Sequence, residues 1–354
     1  MTSRHLPMLK QRVGALETCG YCPKLCRGAC PVALAEPREA LTPWGKMTMS
    51  WLLQRGELPL DRANARLAWA CSDCHAYRER CDHDNPTDET LVAARSDFVA
   101  AGVAPEAALA VIRSGEQRRR SVTEGLAKLG LPTETDPRPA AALLIGCDYV
   151  RHLPEVAAAA VRVVRQLVRS VRVIDGCCGA PELYAGDRAG FEAKLAEVKA
   201  ACEGAERVIV ADAGCGRLLS EVSAVSVVEL AAAQLDRLGR GRCRAAGPVR
   251  WHDPCQLGRG RGVFEPPRRV LERVLDAAPG EFEQCQRIAA CSGGGGLMPV
   301  TYPELSSQMA DRRLQEHERL GGGTVVTACG ASLRRFRSRG ARAVDIVSLI
   351  DQSL

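Results

Sequence analysis

The grouping of 17 cysteines constrains this chain more than any other feature of its sequence. The first group, CGYCPKLCRGACP, contains Cys19, Cys22, Cys26 and Cys30. The second group, CSDCHAYRERC, contains Cys71, Cys74 and Cys81. We expect a cytoplasmic protein, because the N-terminal residues lack the apolar segment of a secretory signal and no long apolar run follows. Disulfides are rare in that compartment, so metal ligation is the main explanation for the two groups.

The first group is close to the ferredoxin motif C-x2-C-x2-C-x3-C-P, with one additional residue before its third cysteine. Thiolates are soft ligands that suit the iron of sulfide clusters, and the fourth cysteine of this motif usually turns to a second cluster. A zinc ribbon also uses paired Cys-x2-Cys motifs, but tetrahedral zinc does not need the extension to Cys30 and Pro31. The pattern therefore favours iron–sulfur clusters over zinc.

The two groups together predict two clusters, A and B. Cluster A would be held by Cys19, Cys22, Cys26 and Cys81, and cluster B by only Cys30, Cys71 and Cys74. Tyr77 occupies the place where the second group would have its third cysteine. Cluster B could then be a three-iron cluster, take His75 or another group as a ligand, or be absent. We expect His75 and His83 to lie at the surface or behind the ligands rather than to bind metal.

An internal repeat follows in the remainder of the chain. The first copy contains Cys147, Cys177, Cys178, Asp212 and Cys215. The corresponding positions of the second copy are Cys255, Cys291, Ser292, Cys329 and Ser332. Two adjacent thiols that leave one turn can both reach one cluster, so the repeated phrase indicates ligands rather than small buried apolar residues.

Strand-like and helix-like segments alternate through both copies. Runs such as RVIVAD and GTVVTA are typical of strands, whereas PEVAAAAVRVVRQLVRS has apolar residues at helical spacing. This alternation predicts a parallel sheet in each copy, with sites beyond the carboxyl ends of the strands. The landmark cysteines fall at such strand ends and in glycine-rich turns. The isolated cysteines, in contrast, are expected to be buried apolar residues; these are Cys202, Cys243 and Cys285.

These residues and motifs resemble those of the CCG-domain, or cysteine-rich, iron–sulfur proteins. That group includes heterodisulfide reductase subunits and the iron–sulfur subunits of glycolate oxidase and anaerobic glycerol-3-phosphate dehydrogenase. The resemblance implies an α+β multi-domain chain. It would have a helical 4Fe–4S ferredoxin-type domain over residues 1–135, then tandem α/β CCG domains over 140–240 and 247–354, each with a small parallel sheet.

The resemblance also implies the ligands of the CCG sites. The first site would use Cys147, Cys177, Cys178 and Cys215, with Asp212 in place of a fifth cysteine. The second would use Cys255, Cys291 and Cys329, with Ser292 and Ser332 in place of two cysteines. We take the serines as loss or weakening of the second cluster rather than an open catalytic position, and Asp212 as a strand-end acid rather than a ligand. The implied cofactors are one or two 4Fe–4S clusters in the N-terminal domain and a non-cubane or partial cluster at the CCG sites.

Candidate catalytic residues are Cys178, Cys291 and His252. His252 and Asp253 directly precede Cys255 in the phrase HDPC, where a histidine could supply a proton to a departing thiolate. The alternative, which we prefer, is that the two residues orient the turn, with Asp253 accepting hydrogen bonds from backbone N–H groups.

The function implied by the resemblance is electron transfer in an oxidoreductase complex, of the flavin-linked hydroxyacid dehydrogenase or heterodisulfide reductase type. The chain shows no dinucleotide-binding fingerprint, so a flavoprotein or other redox protein is the expected partner, with peripheral attachment to the inner face of the membrane through it as a further option. A thiol–disulfide reductase and a non-redox zinc or cluster-sensing module remain alternatives. Nucleic acid is not expected as a partner, because the net charge is only +6 and no aromatic residues are interleaved with the arginines.

Overall fold

The computed structural model describes residues 5–130, 138–243 and 247–354. These residues form two compact units, each assembled from separate stretches of the chain. The first unit contains the residues up to Gly115 together with Pro181–Phe191 and Ala290–Arg313. The second unit contains Glu116–Ala180, Glu192–Ala289 and Leu314–Leu354. The division into three domains expected from the sequence stays a prediction.

The first unit begins with a helical region, and residues 5–115 contain no strand. Its helices are α1 (Pro7–Lys10), α2 (Val13–Tyr21), α3 (Pro31–Ala35), α4 (Pro43–Arg55), α5 (Arg62–Ala65), α6 (Thr87–Ala100) and α7 (Glu106–Arg113). Short 3₁₀ helices lie at Leu25–Ala29, Glu39–Leu41, Arg66–Trp69 and Ala76–Arg80. A common core of this region buries Leu9, Leu16, Trp69 and Phe98.

Local sequence signals set the bounds of α4. Thr42 precedes the helix, and its hydroxyl oxygen accepts a hydrogen bond of 2.9 Å from the N–H of Gly45. Pro43 occupies the first helical position, where its missing N–H costs nothing. Gly56 ends the helix with a φ of 77°, a left-handed conformation that glycine adopts without strain. The helix buries the side chain of Lys46, which places a cation inside the unit.

The rest of the chain alternates strands and helices. The strands are β1 (Ala141–Leu144), β2 (Val171–Val173), β3 (Val208–Val210), β4 (Val225–Ser226), β5 (Val249–Trp251), β6 (Thr324–Thr327) and β7 (Ala343–Asp345). The helices are α8 (Gly115–Lys128), α9 (Cys147–His152), α10 (Pro154–Leu167), α11 (Ala180–Ala185), α12 (Arg188–Ala201), α13 (Ala213–Leu218), α14 (Val227–Ala232), α15 (Gly258–Arg261), α16 (Glu265–Leu275), α17 (Met298–Thr301), α18 (Pro303–Arg319), α19 (Gly330–Ser338) and α20 (Ile346–Ser353). Short 3₁₀ helices lie at Ser220–Val222, Leu235–Arg237 and Gln286–Ile288. In the described ranges, no helix is both long enough and apolar enough to cross a membrane.

The two copies of the repeat form two small parallel sheets, as expected. The first sheet has the strand order β2-β1-β3-β4, and the second has the order β5-β6-β7. All of their pairings are parallel. A single parallel bridge from Arg250 to Gly280 lies beside β5. This bridge corresponds to β2 of the first sheet, so the second copy keeps the topology with its outer strand reduced to one residue pair.

One apolar core in the second unit receives side chains from both sheets. Strands β1 and β6 are buried along their whole length, as uninterrupted runs predict for strands inside a parallel sheet. Helix α10 contributes Val156, Val163 and Val164, and α20 contributes Ile346 and Ile350. Burial of each such side chain stabilises the fold by about 1.5–3 kcal/mol, so this core contributes to the stability of both sheets.

The isolated cysteines largely behave as the sequence predicts. Cys202 and Cys243 are buried in the second unit, where burial raises the pKa of each thiol. The Cys243 thiol lies 2.9 Å from the carbonyl oxygen of Leu349, to which it donates. Cys285 is only half-buried, so the expectation of a buried residue is wrong for that position.

Candidate metal centres

The four thiols predicted for cluster A line one open cavity of about 360 Å³ in the first unit, called cavity A below. They are Cys19, Cys22, Cys26 and Cys81. Cys19 lies in the last turn of α2 and Cys22 directly follows that helix, whereas Cys26 and Cys81 belong to the two cysteine loops. The structure therefore brings together cysteines from both sequence groups.

Burial controls the acidity of the thiols in cavity A. It raises the pKa of Cys19 to about 11, although Asn85 donates a hydrogen bond of 3.0 Å to its sulfur and opposes the shift. It likewise raises the pKa of Cys26 to about 11, against a backbone hydrogen bond from Trp44. These thiols hold their protons at neutral pH, so a metal that binds here must displace them and its uptake becomes easier as the pH rises.

The three thiols predicted for cluster B line a second open cavity of about 350 Å³, called cavity B below. They are Cys30, Cys71 and Cys74, and the same cavity is lined by Lys46, His75, Tyr77 and Asp88. Burial raises the pKa of Cys71 to about 11, while the charge of Lys46 lowers it. The Lys46 ammonium lies 3.9 Å from the sulfur of Cys30 and donates a hydrogen bond of 2.7 Å to the carbonyl of Ala70.

The two cysteine loops have matching backbones. Each has a residue in the left-handed conformation, Lys24 or His75, directly before a five-residue 3₁₀ helix. The second residue of that 3₁₀ helix is Cys26 in the first loop and Tyr77 in the second. Tyr77 thus stands at the position of the expected third cysteine. Its hydroxyl donates a short hydrogen bond to Asp88.

The two histidines of the second loop differ in burial. His83 is exposed, as the sequence predicts. His75 is only 3% exposed, so of the two positions expected for it the surface one does not apply. The Nδ1 atom of His75 lies 2.7 Å from a carboxylate oxygen of Asp88. Burial opposes ionisation of Asp88, but the contacts with His75, Tyr77 and Arg78 lower its pKa below its usual range.

In the second unit, the first copy of the repeat gathers four thiols after successive strands. They are Cys147, Cys177, Cys178 and Cys215, called the four-thiol set below. Cys177 is hydrogen-bonded to Cys147 and Cys178, and Cys178 in turn to Cys215. The adjacent cysteines of the DGCCGA phrase therefore do contribute to one shared group of sulfurs.

The pKa values of the thiols in the four-thiol set are shifted in opposite directions. Hydrogen bonds from Cys147 and Cys178 lower the pKa of Cys177 well below its usual value, with help from the N–H of Gly179. The same bonds, together with burial, raise the pKa of Cys147 and Cys178. Cys177 is consequently the thiol of this set that gives up its proton first.

Asp212 serves as a helix cap rather than lying free among the sulfurs. One carboxylate oxygen accepts a 2.8 Å hydrogen bond from the N–H of Gly214. The other accepts a 3.1 Å hydrogen bond from the N–H of Gly330. Burial, together with the nearby charge of Asp148, raises its pKa to about 6. A Cβ atom at Gly330 would lie 2.9 Å from carboxylate oxygens of both aspartates, so glycine is needed for this close approach.

The landmark residues of the second copy are divided between the two units. In the second unit, Cys255 is half-buried after β5, and Cys329 directly precedes α19. Burial and then the charge of Asp212 raise the pKa of Cys329 well above its usual value. In the first unit, Cys291 and Ser292 each accept a 3.4 Å hydrogen bond from a glycine N–H two residues further on. A joint site of these residues stays a prediction.

A family model for the cysteine-rich domain named CCG matches the chain twice, over residues 141–220 and 249–332. The chain therefore contains two copies of the CCG cysteine-rich domain. The first CCG domain contains the four-thiol set, and the second contains Cys255, Cys291 and Cys329.

Curated relatives of this CCG-domain protein are redox proteins by name. A subunit of the fumarate reductase (CoM/CoB) of Methanothermobacter marburgensis is 28% identical over 226 residues, 59% of this chain and 45% of that protein. A subunit of the dihydromethanophenazine:CoB–CoM heterodisulfide reductase of Methanosarcina barkeri is 24% identical over 316 residues, 80% of this chain and 77% of that protein. The probable iron–sulfur-binding oxidoreductase FadF of Bacillus subtilis is 24% identical over 114 residues, 30% of this chain and 16% of that protein. The chain thus spans slightly less than half of the fumarate reductase protein.

In the second CCG domain, His252 and Asp253 have separate roles. Asp253 accepts hydrogen bonds from the indole N–H of Trp251 at 2.9 Å and the backbone N–H of Gln286 at 2.7 Å. Two further bonds of 2.8 Å come from the guanidinium of Arg268. Burial opposes ionisation of Asp253, but these bonds lower its pKa. His252 is buried edge-on to the ring of Phe336, with 4.9 Å between the centroids.

Sequence reasoning did not identify the buried cations of the first unit. Lys46 lies 16 positions from Cys30, outside any cysteine motif. Arg95 in α6 is 1% exposed and donates hydrogen bonds to the carbonyls of Cys71 and Tyr184. A charged residue inside an apolar helical face, as in TLVAARSDF, was the available signal for Arg95. The same signal exists for Lys46, which is the single charged residue of PWGKMTMSWLL.

Proposed function

We propose that this CCG-domain protein is an iron–sulfur electron-transfer subunit of an oxidoreductase complex. The observation that carries the proposal is the pair of cysteine-lined cavities in the first unit, which share Tyr77 and Thr87 as lining residues. Closely spaced one-electron centres are what an electron-transfer subunit requires. The similarity to proteins named as reductase subunits supports the same role.

The donor sets suit iron–sulfur clusters. Cavity A offers four sulfurs, and the first CCG domain offers a second set of four. When bound, such clusters supply reversible one-electron chemistry at soft thiolate ligands. The protein would bury the sulfurs and reduce access of water, and Lys46 and Arg95 would offset part of the negative charge around Cys71.

We propose in addition that cavities A and B would each hold a 4Fe–4S cluster within a ferredoxin-like domain formed by residues 1–135. The CCG sites would hold non-cubane or partial clusters. The partner would be a flavoprotein or another redox protein, because no dinucleotide-binding fingerprint appears in the sequence. The expected location is the cytoplasm, at the inner face of the membrane if the partner is bound there.

Anaerobic purification followed by metal and sulfide analysis tests the proposal. We expect a brown protein that contains iron and acid-labile sulfide in similar amounts, with paramagnetic signals after reduction by dithionite. Cys22→Ser should remove the cluster A signal, whereas Cys202→Ser, which alters a buried cysteine outside the cavities, should leave it unchanged. A colourless protein that contains zinc and no sulfide would refute the proposal in favour of the zinc-binding module.

A second candidate function is disulfide reduction at the first CCG domain. The lowered pKa of Cys177 favours it, because a thiolate is the nucleophile in thiol–disulfide exchange. Reduction of one disulfide to two thiols consumes two electrons and two protons, and the redox partner would have to deliver the electrons. Candidate catalytic residues remain Cys178, Cys291 and His252.

Thiol release from small disulfides by the reduced protein tests this second function. Cys178→Ala should abolish turnover, and Cys202→Ala should not. Lack of turnover by the cluster-containing wild type with every low-molecular-weight disulfide tried would leave electron transfer as the function.

A further inference from the structure

Among the residues that the structure describes, cavity B is lined by three thiols and cavity A by four. The matching loop backbones place Tyr77 where cavity A has Cys26. The phenol of Tyr77 is already engaged, since it donates to Asp88. A phenol whose proton is already given to a carboxylate is a poor substitute for a thiolate, so Tyr77 does not complete the donor set.

His75 has the geometry of a metal ligand at the same cavity. Its side chain lines cavity B with Cys30, Cys71 and Cys74. Its Nδ1 atom lies 2.7 Å from a carboxylate oxygen of Asp88, an ion-pair contact outside hydrogen-bond geometry, and within the described part of the chain its buried Nε2 atom has no hydrogen-bond partner. A carboxylate this close to Nδ1 favours the ring proton on that nitrogen by its charge, which leaves the lone pair on Nε2. Such a buried, unpaired acceptor is costly unless it binds something.

A separate mononuclear metal site is the competing interpretation. The side chains of Asp73, His75 and Asp88 offer ligand atoms within 4.8 Å of one another. Both carboxylates are already engaged, however. Asp73 accepts a 2.6 Å hydrogen bond from the hydroxyl of Tyr184, and Asp88 binds Tyr77 and the cation Arg78 as well as His75. A second cation at Asp88 would be repelled by Arg78, which leaves His75 Nε2 as the available donor.

The charge of cavity B is compatible with a neutral fourth ligand. A cluster bound by three thiolates and one imidazole carries one negative charge less than a cluster bound by four thiolates. Among the described residues, the buried ammonium of Lys46 lines the cavity, and the buried guanidinium of Arg95 lies behind it, on the carbonyl of Cys71. The structure thus offers partial compensation for buried anionic sulfur, and a neutral imidazole reduces what remains to be compensated.

We propose that His75, through Nε2, is the fourth ligand of an iron–sulfur cluster held by Cys30, Cys71 and Cys74. Asp88 is the positioning residue that orients the imidazole. The inference rests on the proposed function, because it requires a cluster in cavity B. The imidazole ligand gives the two clusters different roles, since replacing a thiolate by a neutral imidazole raises the reduction potential of cluster B. Cluster B is then the electron acceptor and cluster A, with four thiolates, the donor.

Pulsed paramagnetic resonance of the reduced protein labelled with ¹⁵N-histidine tests the ligand directly. We expect a nitrogen coupling of the strength of a directly bonded imidazole on one cluster signal. His75→Ala should abolish this coupling, whereas His5→Ala, which removes an exposed histidine of the same unit, should leave it unchanged.

His75→Cys provides a second variant in case His75→Ala does not fold. It should retain the cluster, lose the nitrogen coupling and lower the midpoint potential of that cluster only. Asp88→Asn should keep the coupling but change its orientation dependence, because the amide no longer holds the same tautomer.

Three results would overturn the proposal. One is a wild-type protein with intact clusters and no directly bonded nitrogen, which refutes the ligand but not the proposed function. Another is a coupling that survives His75→Ala and disappears in His83→Ala. The third is a wild-type protein without iron and sulfide, which refutes the proposed function as well.

Discussion

The two CCG domains share a strand order but place different chemistry at the ends of their strands. After β3, the first domain has Asp212 as a helix cap and Cys215 in the four-thiol set. After β6, the second domain has Cys329 at the capping position. The capping position before the helix therefore carries a carboxylate in one domain and a thiol in the other, so the fold does not fix the side chain at that position.

The electrostatic surroundings of the thiols differ in the same way. In the first domain, neighbouring thiols lower the pKa of Cys177, so a thiolate forms readily there. In the second, burial and the charges of Asp212 and Asp148 raise the pKa of Cys329. A repeat can thus keep its topology while the acidity of its thiols differs between the copies.

The largest effect is expected from removing a central sulfur of the first domain. Cys178→Ser should remove the iron and sulfide bound by the four-thiol set, because Cys178 links Cys177 to Cys215. Cys329→Ser should remove much less. Iron and sulfide analysis of anaerobically prepared variants measures both losses, with Cys202→Ser as the control. Equal losses in Cys178→Ser and Cys329→Ser would show that the two domains bind clusters alike.

The next effect concerns a buried ion pair of the second domain. The guanidinium of Arg268 makes two hydrogen bonds of 2.8 Å to Asp253, which is 3% exposed. Arg268→Met should lower the free energy of unfolding by about 3–5 kcal/mol, because it leaves a buried carboxylate without its cation. Denaturant titration measures the change.

The exposed pair of Arg240 and Asp276 supplies the matched control. Arg240→Met should cost about 0–1 kcal/mol, since exposed ion pairs contribute little. A loss below about 1 kcal/mol for Arg268→Met as well would mean that Asp253 does not organise the turn.

The pH dependence of stability should differ between the two sheets, at the caps of α14 and α20. Ser226 caps α14 and does not titrate, whereas Asp345 caps α20 and burial raises its pKa from 3.8 to about 7. The folded state then holds a proton that the unfolded state releases. The contribution of Asp345 is fully present below pH 3.8 and is lost as the pH rises to about 7.

Thermal unfolding between pH 4 and pH 8 measures this dependence. Asp345 makes stability fall with rising pH by at most about 1.4 kcal/mol per pH unit, and Asp345→Asn should flatten the profile. Ser226→Ala should shift the profile without changing its slope. A wild-type profile that rises across this range, with Asp345→Asn parallel to it, would contradict the predicted sign.

The smallest effect is expected at Ser226, the cap of α14. Ser226 accepts a 3.2 Å hydrogen bond from the N–H of Glu229, whose carboxylate accepts one of 2.8 Å from the N–H of Ser226. Ser226→Ala should lower the free energy of unfolding by about 1 kcal/mol. Ser220→Ala, at an exposed position without such a bond, is the control and should change stability by less than about 0.5 kcal/mol.

Much of the candidate site could be predicted because ligand spacing is a local property. Residues two to four positions apart in a loop cannot separate widely, so the CGYC and CSDC motifs predict sulfurs around a common point. The parallel sheets were predictable for a similar reason, since uninterrupted apolar runs such as AALL suit strands buried on both faces. The bridge at Gly280 was not, because one residue pair leaves no periodic signal.

The sequence alone determined which residues can bind metal: the cysteine motifs, the repeated landmarks and the tyrosine that interrupts the second motif. Only the tertiary structure decided what surrounds them. His75 meets Asp88, Lys46 enters cavity B, and Asp212 lies near Cys329 because segments distant in the chain pack together. Burial strengthens the electrostatic interactions of each charge and raises the free-energy cost of each unpaired polar atom. The degree of burial depends on the packing of the whole unit rather than on neighbouring residues in the sequence.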